Sequence, residues 1–118
     1  MSDSVRSRWV ALVGVLTHER RVAHTAGFPL DPEKMLPVAD VVLVVANDDA
    51  GAMLFRYTAH GEFGGDTWHA TLAEAQEQAA YEYGDALLSW MEVPGEVTDA
   101  HAFAVQYAYE RLDKRGDW

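Results

Sequence analysis

Four side chains able to bind metal or move protons, His60, Glu62, Asp66 and His69, fall within ten residues around a glycine-rich stretch. Imidazole nitrogens and carboxylate oxygens of this kind suit zinc or manganese. If the flanking segments pair as strands, His60 and His69 approach each other across the hairpin. With Trp68 beside them, the five residues outline one candidate pocket for a small molecule or metal ion. Their spacing matches no named metal motif, and turns favour Gly and Asp for conformational reasons alone. We therefore assign neither a metal nor any other cofactor. His18-Glu19 opens like a metalloprotease HExxH helix, but the next histidine is His24, too far along to share a helical face. Gly61 to Gly65 lacks the Lys-Ser/Thr of a phosphate loop, and no G-x-S-x-G is present. Cysteine is absent, which excludes thiolate nucleophiles, disulfides and Cys-based metal centres. Glu62 and Asp66 would work as acid and base only if burial drove their pKa values apart. No catalytic residue is assigned, and a small enzyme ranks below a binding protein.

Charge is the more informative feature. The 118 residues carry 19 acids and 9 bases, a net of -10. Nucleic-acid binding through phosphate neutralisation needs clustered Lys and Arg, so this balance argues against it. Residues 1–60 are nearly balanced, with seven acids and six bases, whereas residues 61–118 have twelve acids and three bases. Between Arg56 and Arg111 there is no base at all, against ten acids. Such a surface suits a basic protein partner, whose encounter it would steer.

The elements that place these residues read as strands first, helices second. Arg8 to Thr17 and Ala39 to Ala46 are apolar on both alternating faces, as strands covered on both sides are. The first of these runs is too short to span a bilayer, which takes about 20 apolar residues, and no cleavage motif follows it. Asn47 to Gly51 is a turn, and Ala52 to Ala59 a return strand with Met53, Phe55 and Tyr57 on one face and Arg56 and Thr58 on the other. His60 to Gly65 reads as a second turn, with Asp66 to Ala70 a short strand or lead-in. The segment 18–38 is ambiguous, save for one helical turn opening at Asp31-Pro32. Residues 1–7 read as a frayed terminus.

Thr71 and Glu74 form a capping box. The phase of the following residues predicts one helix from Leu72 to about Met91. Leu72, Ala75, Ala79, Tyr83, Ala86, Leu87 and Trp90 share its inner face. The alternative is a stop at Gly84 and a strand from Leu88 to Val93, since glycine commonly follows a helix C-terminus. On the outer face of helix 72–91 lie Glu74, Glu77, Glu82 and Asp85. Tyr81 and Leu88 join them as apolar anchors, and these six residues are the candidate partner-binding set. Thr98 or Asp99 caps a last helix from Ala100 to about Lys114.

The stretch Gly64-Gly65-Asp66-Thr67-Trp68-His69, with Thr71-Leu72, Glu74-Ala75, Tyr83-Gly84 and Trp90 to Pro94, resembles the core of small bacterial proteins of uncharacterised function. The likeness covers about a quarter of the chain. It implies a bacterial source and carries over no catalytic or binding residue.

The expected molecule is one α+β domain over residues 1–118. It has an antiparallel sheet of three to five strands, hairpin-rich in its N-terminal half, and two C-terminal helices packed on one face. One helical layer leaves the other sheet face to segment 18–38 or to a homodimer, with the dimer favoured. The expected protein is cytoplasmic. It binds a basic protein through helix 72–91, and neither nucleic acid nor membrane.

Overall fold

The computed structural model describes residues 6–14, 38–47 and 49–111. Five antiparallel strands form one sheet: β1 (Arg6–Leu12), β2 (Val41–Asn47), β3 (Gly51–Tyr57), β4 (Phe63–His69) and β5 (Met91–Glu92), in the order β4-β3-β2-β1-β5. Two helices follow the β1–β4 block, α1 (Leu72–Tyr83) and α2 (Ala100–Glu110), with β5 between them. The α+β class and the antiparallel sheet are those expected. Segment 18–38, apart from Val38, lies outside the described residues, and with it the helical turn expected at Asp31-Pro32. So do the end of the first strand beyond Gly14 and the last helical turn toward Lys114.

The helices do not share a face. Ala75, Ala79 and Tyr83 of α1 are buried with Ala11, Val13, Val42, Val44 and Leu54. Ala100, Ala104 and Ala108 of α2 are buried with Val10, Leu12, Val41 and Leu43. Successive residues of β1 and β2 thus enter opposite layers, because a strand alternates its side chains. That is why Val41, Val42, Leu43 and Val44 are all fully buried. The second face, expected to be covered by segment 18–38 or by a dimer, is covered over β1 and β2 by α2. Both helices meet the sheet through alanine, whose small side chain lets helix and strand backbones approach closely.

α1 ends at Tyr83, not near Met91. Gly84 caps it at φ 53, a left-handed conformation that penalises any side chain, and its N–H donates to the Ala80 carbonyl. After a 3₁₀ turn at Gly84–Ala86 the chain runs extended beside β1. Gly14 N–H donates to Ala86 O at 2.7 Å, Leu88 N–H to Leu12 O at 2.9 Å and Val93 N–H to Arg8 O at 2.8 Å. β5 itself pairs Met91 with Val10 and Glu92 with Trp9. The stop at Gly84, weighed as the alternative, is the one adopted. The helical phase misled because Leu87 and Trp90 join the α1-side core from an extended chain, and Ala86 joins it from the 3₁₀ turn.

The first hairpin is as expected. Asp49 N–H donates to Asn47 Oδ1 at 3.0 Å, Ala50 N–H to Asn47 O at 3.2 Å, and Gly51 re-enters the sheet at φ 89. The second turn comes earlier than His60 to Gly65. It is closed by Thr58 N–H to Glu62 O at 2.9 Å and Gly61 N–H to Thr58 O at 3.0 Å. Gly64 and Gly65 therefore belong to β4, where the register shifts opposite Arg56.

Candidate functional site

The structure divides the six residues expected on the outer face of helix 72–91. Glu74, Glu77 and Tyr81 lie along the exposed stripe of α1, and Tyr81 is 78% exposed. Glu74 is partly committed to the cap: its N–H donates to Thr71 Oγ1 at 3.1 Å, and its carboxylate accepts from Ala70 N–H at 3.0 Å. Asp85 is exposed, just past the end of the helix. Leu88 packs into the core on the α2 side, because the chain there is extended and not helical. Glu82 turns inward.

Glu82 meets Arg56, which rises from β3 on the α1 face. Arg56 Nε donates to Glu82 Oε1 at 2.7 Å, and Nη2 donates to Oε2, a bidentate pair with side chains only 6% and 13% exposed. Nη2 also donates to Thr67 Oγ1 at 3.2 Å, and Nη1 faces the Leu54 and Gly65 carbonyls at 3.4 and 3.5 Å. Gln78 Nε2 donates to Glu82 Oε2 at 2.7 Å. Beyond Thr67 the chain of contacts reaches His69 Nε2, 2.7 Å from the hydroxyl. Burial works against the charge on Arg56, but the Glu82 carboxylate outweighs it and holds the guanidinium above its ordinary pKa. Alternation on β3 sets Arg56 apart from Phe55 and Tyr57, but it does not reveal that this face lies beneath a helix. The one available signal was that Arg56 is the last base before Arg111.

Tyr83 belongs to the same region. Burial, reinforced by the Glu82 carboxylate, pushes its hydroxyl well above the ordinary tyrosine value. Burial, with help from Asp66 and Asp99, also raises Tyr57 on the other face, where its hydroxyl lies 2.6 Å from His101 Nδ1. A raised tyrosine pKa stabilises the fold fully below the unfolded value, near 10, and the contribution is lost as pH rises through the folded value. Urea midpoints measured from pH 8 to 11.5 should therefore fall above pH 10. Tyr83→Phe should flatten that fall, and equal slopes in the two proteins would show that Tyr83 does not carry it.

The five residues of the candidate pocket do not converge. The β3–β4 register sets Phe63 opposite Tyr57 and His69 opposite Ala52. His60 and Glu62 thus lie at the turn end of the hairpin and His69 at the far end, separated by β4, about 20 Å at 3.3 Å per residue. The expected approach of His60 to His69 is overturned, because the turn closes at residues 58–62. Asp66 and Trp68 point to the α2 face, while Thr67 and His69 point to the α1 face, as their partners on β3 do. His60 instead sits edge-on to Tyr109, 6.0 Å between ring centres. Among the described residues, no group of three or more His, Asp or Glu side chains is placed to hold a metal ion.

Trp68 is 61% exposed, yet it is fixed. Its Nε1–H donates to the Ala50 carbonyl at 2.8 Å, and its ring edge lies on Gly51, where an added Cβ would fall 2.7 Å from Nε1.

No family model, curated protein or solved structure matches this chain. The fold and site define an α+β protein with one helix on each face of a five-stranded antiparallel sheet and with an acidic exterior. No helix among the described residues is long and apolar enough to cross a membrane.

Proposed function

We propose that this protein is a cytoplasmic interaction module that docks a basic protein partner through the outer stripe of α1. The binding set is Glu74, Glu77, Tyr81 and the adjoining Asp85, without Glu82 and Leu88. The observation that carries this reading is how charge divides between surface and interior. Every described Asp and Glu except Asp40 and Glu82 is exposed. Of the described arginines only Arg6 is exposed. Arg8 donates to the carbonyls of Val97 and Pro94, Arg56 is buried, and Arg111 lies over the Tyr107 ring at 3.7 Å. Among the described residues, then, the surface is lined mainly by carboxylates, while Arg8 and Arg56 are turned to internal partners and Arg111 is shared between the Tyr107 ring and Glu110. Tyr81 supplies the apolar anchor within that acidic rim. The absence of cysteine suits a reducing compartment. α2 covers the β1–β2 part of the second sheet face, which a homodimer was one way to bury. The pocket reading loses support, since its residues are split between two faces and two ends of β4.

Immobilised wild type and a Glu77→Lys, Asp85→Lys variant with an unchanged urea midpoint would be compared for capture from cell extract. The captured protein would then be purified and titrated. The expected result is a basic partner whose Kd rises with salt and weakens at least tenfold, about 1.4 kcal/mol, on double charge reversal. Equal affinity for both proteins would overturn the assignment of this face.

A further inference from the structure

On the α2 face, the helix lies over β1 and β2, and the β3–β4 part of that face holds Met53, Phe55, Asp66 and Trp68. Among the described residues β4 pairs only with β3, so its outer edge offers backbone N–H and C=O groups to another strand. Edge strands are commonly guarded by Lys, Pro or a bulge. Residues 66–69 carry neither Lys nor Pro and keep regular register, the bulge lying before them at Gly64 and Gly65. Asp66 and Trp68 stand two residues apart on one face of this edge, both exposed. The indole is held at the Ala50 carbonyl and seated on Gly51, so little freedom is lost when a ligand covers it.

We infer that Trp68 and Asp66 seat a cationic side chain of a basic segment that a protein partner adds as a strand along β4. The indole face offers cation–π attraction and the carboxylate a counter-charge. A second copy of this chain is the wrong occupant, because it would set Asp66 and a net charge of -10 against their equals. Among the described residues, Arg6 is the exposed cation on this face; it stands on β1, three strand spacings or about 14 Å away, beyond the Debye length of about 8 Å. This site is independent of the α1 stripe, since the two lie on opposite faces of the sheet.

The probe is the peptide acetyl-(Thr-Arg)3-Thr-amide, whose alternation puts every Arg on one face of a strand. Its proline counterpart, acetyl-(Pro-Arg)3-Pro-amide with the three Arg amides N-methylated, keeps the charge but has no N–H within the strand to donate. Binding would be followed by amide and indole N–H shifts in the intact chain. The expected result is saturable movement of residues 66–69 and of the Trp68 indole with the first peptide and not the second. Asp66→Asn and Trp68→Leu should each weaken binding about tenfold, while Trp68→Phe, which keeps a π face, should stay within about threefold. Phe and Leu both lose the bond to Ala50, so a purely structural role for Trp68 would make these two variants alike. Glu77→Lys with Asp85→Lys should leave this binding unchanged. Equal binding of the proline peptide, wild-type affinity in Asp66→Asn or Trp68→Leu, or shifts confined to α1 would each overturn the proposal.

Discussion

Replacing Glu82 with alanine should cost the fold about 3–5 kcal/mol, because it leaves the Arg56 guanidinium charged and unpaired beneath α1. Arg56 cannot shed its proton to escape that cost, since its pKa already lies above the physiological range. Gln78, Thr67 and the Leu54 and Gly65 carbonyls remain as neighbours, but none brings a negative charge. The informative comparison is with Arg56→Met combined with Glu82→Leu. Replacing both partners by apolar groups of similar volume is commonly neutral or stabilising by 1–4 kcal/mol. The measurement is urea unfolding of both variants beside wild type. A Glu82→Ala protein within 1 kcal/mol of wild type, on the same scale, would show that water already solvates the pair. The prediction also bears on function. A charge at Glu82 engaged in this way is not available to a partner, so Glu82→Gln should leave partner affinity unchanged wherever the protein stays folded.

Tyr83→Ala should be comparably damaging, about 3–5 kcal/mol, through a different mechanism. Tyr83 is 1% exposed and among the largest fully buried side chains. It is the last residue of α1 and fills the core beside Ala75, Ala79, Val42, Val44 and Leu54. The alanines around it are too small to collapse into the space left by its ring. Tyr83→Phe keeps the ring volume and should cost far less, so the difference between the variants separates cavity from hydroxyl. The check is thermal and urea unfolding of both. If the two proteins unfold together, the hydroxyl, and not the ring, holds the end of the helix.

The sequence by itself determined the class of element at most positions, since the determinants there are local. Val41 to Val44 have β-branched or bulky apolar side chains at every position, so that stretch had to be a strand covered on both faces. Asn47 to Gly51 had turn chemistry, Thr71 with Glu74 a cap, and Thr98 or Asp99 a cap for α2, of which Asp99 is the one used. The inner face of α1 was also legible, because Leu72, Ala75, Ala79 and Tyr83 repeat at the helical period. The acidic character of the exterior is a property of composition, and it too was readable.

Only the tertiary structure decided which helix lies on which face and where α1 stops. Periodicity says that a side chain is covered, not by what, so two strands apolar on both sides fitted one helix layer and a dimer as well as two helix layers. Leu87 and Trp90 satisfy a helical phase and an extended course beside β1 equally. The backbone of β1 and of Gly14 just beyond it breaks the tie, because the Leu12 and Arg8 carbonyls accept from Leu88 and Val93 and the Gly14 N–H donates to Ala86. That choice moves Leu88 to the opposite core. The approach of Arg56 to Glu82, 26 residues apart in sequence, likewise has no local signal. It arises because β3 carries Arg56 beneath the last turn of α1, where burial leaves a guanidinium little choice but to find a carboxylate.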